Sequence, residues 1–278
     1  MRLHVFHSTR YTYDQPARGI MQVLRLTPGD HEGQHVVRWR IEPSVEGKLR
    51  SRADHFGNVV HTFTADDPTQ GFTLQVGGEV ETSDTSGVVR QVSEPLPDAC
   101  YLRETLLTEA DEAIRAFAER HRDAGGNVLS SLHRLMTAIH EKLAFDAEPT
   151  HVGTTAAEAF ALGRGVCQDF SHVFVAAARH LGIPARYVSG YVLAPAGVAG
   201  HQVGHAWAEA RVPYLGWVGF DPTHLTCPAS AHVRVATGLD YNDAAPVRGS
   251  RRGGGRESME VQVRVEPAQA MQQFQRQG

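Results

Sequence analysis

Three side chains in the second half of the chain have the types and order that thiol chemistry needs: Cys167 in "GRGVCQDFSH", His205 in "HAWAEARV" and Asp221 in "GWVGFD". A thiol nucleophile requires a base to take its proton, and the base requires a partner to hold its tautomer. Cys167 follows Gly163 and Gly165 and precedes Phe170, Phe174, Ala178 and Leu181 at helical spacing, which predicts a helix beginning at or near Cys167. The free N–H groups and macrodipole of a helix start favour negative charge, so the thiol pKa is expected to fall below the free-cysteine value. The backbone N–H of Cys167 would also serve as one donor to an oxyanion. "HAWAEARV" and "GWVGFD" read as strands joined through "PYLG". A hairpin folding about Pro213 sets His205 directly opposite Asp221, with Cβ atoms about 4.5–5.5 Å apart. His205 would remove the thiol proton and later return it to a leaving amine, while Asp221 fixes the imidazole.

A lone cysteine is more often a small packed hydrophobe than a nucleophile, so its neighbours carry weight. Gln168 lies in the first helical turn, close enough to influence the site. Trp207 shares a strand face with His205, where it either shields the imidazole or packs. His201, in "HQVGH", is placed at the mouth of the site as a substrate contact. His201 and His205 are four apart, but the stretch flanks a strand and has no H-E-x-x-H, so no metal is expected. No cofactor is expected either. His172, five residues past Cys167, is turned away from the thiol and reads as structural. His224 and Cys227 stand beside the site at best.

The elements that must position these groups change character along the chain. Up to about residue 95, segments such as "RLHVFHSTRYTYD", "IMQVLRLTP", "HVVRWRIEP" and "FTLQVGGEVET" alternate apolar with polar residues, with turn signals at Pro28-Gly29-Asp30, Gly57-Asn58 and Gly77-Gly78. They predict an antiparallel β domain over 1–95. Beyond the proline-marked junction "SEPLPDA" the period becomes helical: Leu129, Leu132, Met136, Ile139 and Leu143 follow Asn127 as N-cap, and "TTAAEAFAL" gives a shorter helix. Strands return from "ARYVSGYVLA" onward, ending with "MEVQVRVEP" after a flexible stretch, "VRGSRRGGGRES", of which "VRGSRRGGGR" reads as a solvated loop. The fold class is α+β, with an N-terminal antiparallel β domain followed by a core over 96–266. Residues 267–278 form a polar, frayed tail.

Composition excludes several classes. A formal net charge of −4 gives no electrostatic case for a nucleic-acid partner. No apolar run approaches the roughly 20 residues of a membrane span, and the first residues lack a signal-peptide core. Three scattered cysteines make no disulfide framework, which fits a reducing cytoplasm.

The segments "GRGVCQDFSHVFVAAARHLGIPARYVSGY", "HAWAEARVPYLGWVGFDPTH" and "VATGLDYNDAAPVRG" resemble the bacterial transglutaminase-like proteins of the wider papain-like cysteine-enzyme superfamily. "YTYDQPARGIMQVLRLTP" and "RADHFGNVVHTF" resemble that family's N-terminal β region. The resemblance implies a papain-like core in which Cys167 is the nucleophile, His205 the base and Asp221 the orienting acid. It also implies acyl transfer at an amide of a protein or peptide substrate through a thioester. Peptide or amide hydrolysis is expected first; the alternatives are transfer to an amine and a non-catalytic protein-binding module on the same fold. Leu239, in "TGLDYND", stands where the family pattern leads one to expect arginine or another polar residue.

Overall fold

The first described strand, β1 (Arg2–Thr27), runs unbroken through both segments that the sequence presents as separate strands. In this computed structural model residues 1–194 and 204–268 are described. The buried positions of β1 are odd-numbered from Leu3 to Tyr13 and even-numbered from Ile20 to Leu26. A two-residue side-chain period changes parity only where the pairing is interrupted; here that is 13–20, where the register shifts and Gly19 takes φ 55°.

The strands β2 (Gln34–Pro43), β3 (Lys48–Ala53), β4 (Val59–Ala65) and β5 (Thr69–Thr82) join β1 in one antiparallel sheet, in the order β2-β5-β1-β4-β3. Gly77 and Gly78 lie inside β5 and make no turn. A Cβ on them would sit 2.3 Å from Val5 O and 2.0 Å from Arg38 O. Their lack of a side chain lets β1 and β2 close on either side of β5.

After β6 (Val88–Val89) and a 3₁₀ turn (Asp98–Leu102) come α1 (Glu112–His121), α2 (Val128–Lys142), the short β7 (Ala144–Phe145), α3 (Ala156–Leu162), the short β8 (Arg164–Gly165) and α4 (Cys167–His180). Each of the first three helices has a side-chain N-cap: Asp111 accepts from Ile114 N–H, Asn127 from Ser130 N–H, and Thr155 from Glu158 N–H. The sequence reading singled out no helix at α1, although Ile114, Phe117 and Ala118 there are buried. The stripe predicted for α4 is buried, and so is nearly every other face of it. A helix buried all round is a central helix: α1, α2 and α3 pack against α4, and so do β9 and β10 of the second sheet.

That second sheet is formed by β9 (Ala185–Val192), β10 (His205–Val212), β11 (Gly216–Phe220) and β12 (His232–Gly238), in the antiparallel order β12-β9-β10-β11-β6. A four-residue α5 (Tyr241–Ala244) follows. The last two strands, β13 (Val247–Gly253) and β14 (Glu257–Pro267), return to the first sheet and pair with β1 along its two halves. The sequence division at residue 95 assigned them to the core, and read 247–256 as a loop. Strand partners are chosen by long-range pairing, which local pattern does not carry. Similarly, Val88 and Val89, on the N-terminal side of the division, pair with β11.

Candidate active site

The start of α4 is shaped by a glycine that no other residue could replace without disturbance. β7 and β8 pair in parallel and pin the lead-in to the helix. A Cβ on Gly165 would lie 2.5 Å from Asp169 Oδ2. The space is needed because Asp169, at the third helical position, folds back to accept from Val166 N–H at 2.8 Å and from Thr150 Oγ1 at 2.8 Å. Val166, the N-cap, has no capping side chain of its own, and the carboxylate of Asp169 supplies that function.

Cys167 heads this helix, half-buried at the floor of a cleft. The expected low thiol pKa is not what its surroundings produce. Dense packing around the sulfur removes it from water and pushes the thiol up to about 12. The backbone N–H groups of Ala206 and Gln168 pull the other way, and the negative charge of Asp221 adds to the rise. The helix start does favour a thiolate, but desolvation outweighs it.

His205 opens β10 and is joined to Asp221, just past the end of β11, by a hydrogen bond of 2.7 Å from Nε2 to Oδ2. The predicted hairpin forms, with its register moved. Ala208 pairs with Phe220, so the turn centres on Tyr214, which takes φ 67°, and not on Pro213. Continuing that ladder sets Asp221 opposite Trp207. Because the pairing is displaced by two residues, His205 and Asp221 stay on one face and meet diagonally. With Nε2 engaged, Nδ1 is the ring nitrogen left for proton transfer in the cleft.

Asp221 holds more than one imidazole. Oδ2 also accepts from His224 Nδ1 at 2.8 Å and His232 Nε2 at 3.3 Å, while Oδ1 accepts from the N–H groups of Thr223 (3.0 Å) and His224 (3.3 Å). Burial alone would raise the Asp221 carboxyl, but the hydrogen bonds from the three histidines together hold it well below the usual carboxylate range. Burial lowers the His205 pKa against the opposing pull of Asp221. The half-buried His224 is raised, chiefly by its bond to the same carboxylate. One ligand-type atom from each of His205, Asp221, His224 and His232 lies within 4.8 Å of the others. The sequence reading placed His224 only beside the site and did not single out His232. The i,i+3 step from Asp221 to His224 was the available signal; His232 comes from β12, a strand whose place in the sheet local pattern does not reveal.

The other predicted groups separate. Gln168 is buried, with its side chain donating to Val152 O at 3.2 Å and its backbone N–H aimed at the sulfur. Trp207 is buried behind the histidines, its ring centroid 6.0 Å from His205 and 5.4 Å, edge-on, from His232. His201 lies outside the described residues. His172 is fully buried in the core, accepting from Tyr241 N–H at 3.1 Å. Leu239 packs with Phe56, Tyr101 and Trp217.

The cleft above Cys167 has a volume of about 460 Å³ and is walled by both sheets. Tyr191 and Val235 come from the second sheet, Thr9 from β1, and Met259 and Val261 from β14. His7 on β1 bonds Tyr191 Oη at 2.9 Å and Thr9 Oγ1 at 3.1 Å; burial lowers its pKa to about 4, leaving it neutral. The cleft therefore pairs one polar corner, holding the thiol and imidazole, with a largely apolar wall.

Comparison with known proteins gives two matching family models: the transglutaminase-like superfamily over residues 115–222 and the bacterial transglutaminase-like N-terminal region over residues 3–81. An uncharacterized protein of Mycobacterium leprae is 30% identical across 95% of this chain and 98% of its own length. An uncharacterized protein of Mycobacterium tuberculosis is 29% identical across 89% of this chain and 87% of its own. Among solved structures, a Cytophaga hutchinsonii protein proposed to be a cysteine protease superposes with a TM-score of 0.78, covering 96% of this chain and 91% of that one. At 22% identity that likeness speaks for the fold.

Proposed function

The chain belongs to the transglutaminase-like superfamily, with a bacterial transglutaminase-like N-terminal region, and on that premise we propose that it hydrolyses amide bonds of peptides through a thioester on Cys167. The observation that carries this reading is the 2.7 Å bond between His205 Nε2 and Asp221 Oδ2, which leaves Nδ1 for the cleft that Cys167 also lines. Asp221 keeps the proton on Nε2 and stabilises the imidazolium when it forms.

Burial raises the thiol and lowers the imidazole, so both are neutral at rest. Proton transfer from Sγ to Nδ1 then accompanies attack on the carbonyl carbon, in place of a standing thiolate–imidazolium pair. The helix-start N–H of Cys167 faces the developing oxyanion. His205 next gives the proton to the departing amine, leaving the thioester. Water, deprotonated by the same imidazole, releases the acid and restores the thiol.

The apolar wall of Tyr191, Val235 and Val261 suits an acyl portion with a bulky hydrophobic side chain. No helix among the described residues is long and apolar enough to cross a membrane, and Cys100, Cys167 and Cys227 are free thiols.

The test is a panel of fluorogenic peptide amides differing in the acyl-side residue, with Cys167→Ala as control. Turnover of the apolar members, lost in Cys167→Ala, is expected, together with a thioester adduct in the intact mass. Added amine that diverts most of the acyl group to a new amide would reassign the enzyme to transfer. No turnover and no adduct would leave the protein-binding module.

A further inference from the structure

His205, Asp221, His224 and His232 come from three separate stretches of chain: the start of β10, the turn after β11 and the start of β12. Hydrogen bonding to Asp221 requires each of these imidazoles to present its proton to the same carboxylate oxygen, at 2.7, 2.8 and 3.3 Å. Orienting His205 needs only one of those bonds. We propose that this cluster is a binding site for a divalent transition metal of the zinc class, and that an occupied site holds the enzyme inactive. The second half of that statement rests on the function proposed above.

Three nitrogens and one carboxylate oxygen suit zinc and its neighbours, and do not suit magnesium or calcium, which take oxygen ligands. Tetrahedral bonds of about 2.0–2.1 Å place ligand atoms roughly 3.3 Å apart. Reaching that spacing needs the carboxylate oxygen to draw back by about half an ångström from His205 and His224, and the imidazole nitrogens, which lie within 4.8 Å of one another, to close around the ion through side-chain rotation. The surroundings already hold the ligands in place: two backbone N–H groups fix Asp221 Oδ1, and Trp207 packs against His205 and His232. The side chains of Asp221 and His232 are buried, while that of His224 is 35% exposed and gives the ion a way in.

The protons balance. The metal takes the electron pair of Nε2 on His205, Nδ1 on His224 and Nε2 on His232. Each neutral ring moves its proton to the opposite nitrogen, and a protonated His224 releases one proton to water. His232 gives up the weak 3.4 Å bond that its Nδ1 accepts from Ala229 N–H. His205 is left with a proton on Nδ1 and no lone pair for the thiol of Cys167. Metal binding and general-base function at His205 are thus mutually exclusive.

The experiment uses full-length Cys167→Ser protein, stripped with a chelator and dialysed, so that sulfur ligation and turnover play no part. Titration with Co²⁺ and then Zn²⁺ is expected to saturate at one equivalent, with visible d–d absorption and no thiolate charge-transfer band. His224→Ala, at the more exposed position, should weaken binding at least tenfold while circular dichroism shows a retained fold; His232→Ala should do the same. In the wild type, one equivalent of Zn²⁺ should abolish amide hydrolysis and a chelator should restore it. No stoichiometric binding to Cys167→Ser, or affinity unchanged in a folded His224→Ala, overturns the site. A metal that binds only when Cys167 is present also overturns it, because the thiol would then be a ligand. Cys167→Ser that binds one metal beside a metal-free wild type without amidase activity would retain the site and sink the hydrolase reading instead.

Discussion

The sequence singles out Cys167, His205 and Asp221 by type and order, and the structure joins His205 to Asp221 and sets Cys167 and His205 on one cleft. The state of the thiol was not legible in the sequence. Its pKa depends on how densely β10 and the strands of the other sheet close around it, and that packing joins residues far apart in sequence. Alkylation of Cys167 by iodoacetamide, mapped by mass spectrometry, should therefore be slow at pH 7 and still rising above pH 9. A plateau reached below pH 8 would mean a standing thiolate and contradict the neutral pair. Asp221 gives a second outcome at this scale. Asp221→Asn should lower kcat by on the order of 10⁴ with little change in KM, since the amide cannot hold the required imidazole tautomer. A loss below tenfold would show that His224 and His232 orient His205 unaided.

Helical period and capping residues made α2, α3 and α4 readable before any coordinates, whereas the hairpin register was missed because Tyr214, not Pro213, occupies the turn centre. Gly165→Ala should displace the Asp169 carboxylate from Val166 N–H and misplace the first turn of α4. The expected result is a folded protein, by circular dichroism, with kcat/KM reduced at least tenfold. On the second sheet, Glu209 of β10 is fully buried between Arg186 of β9, at 2.6 Å, and Arg234 of β12, at 2.7 Å. Burial would raise its carboxyl, but the two guanidiniums bring it down to about 2. A depressed folded-state value contributes stability that is complete above the unfolded value near 4.5 and is lost as pH falls through about 2. At roughly 1.4 kcal/mol per pH unit that contribution is about 3 kcal/mol. Urea unfolding at pH 7, 4 and 2.5 should show this fall, and Glu209→Gln should flatten it while destabilising the protein at pH 7 by about 3–5 kcal/mol.

The two sheets are joined by imitation strand pairing that no local pattern could announce. β12 is the outer strand of the second sheet, and side-chain amides from the start of β2 and from the residue before β4 occupy its free edge. Gln34 donates to Arg234 O and accepts from Arg234 N–H, both at 2.8 Å. Asn58 donates to Thr237 O at 2.7 Å and accepts from Thr237 N–H at 2.8 Å. Asn58→Ala leaves a buried donor and acceptor unpaired, a cost of about 2–5 kcal/mol. With the Cys167 cleft shared between the sheets, thermal unfolding followed by tryptophan fluorescence and by loss of the proposed turnover should give one coincident transition. Two resolved transitions would show that the 1–95 and 96–266 divisions behave as independent units.

The return of β14 to β1 also orders events during synthesis. β1 is made long before β14: from Arg2 to Thr12 one edge can pair early with β5, but the other edge, from Leu3 to Tyr13, waits for the last described strand, Glu257–Pro267. Met259 and Val261 on that strand complete the cleft. The Cys167 thiol at the start of α4 has no complete cleft wall until translation has passed those residues, so a nascent chain carries Cys167 without the finished cleft around it.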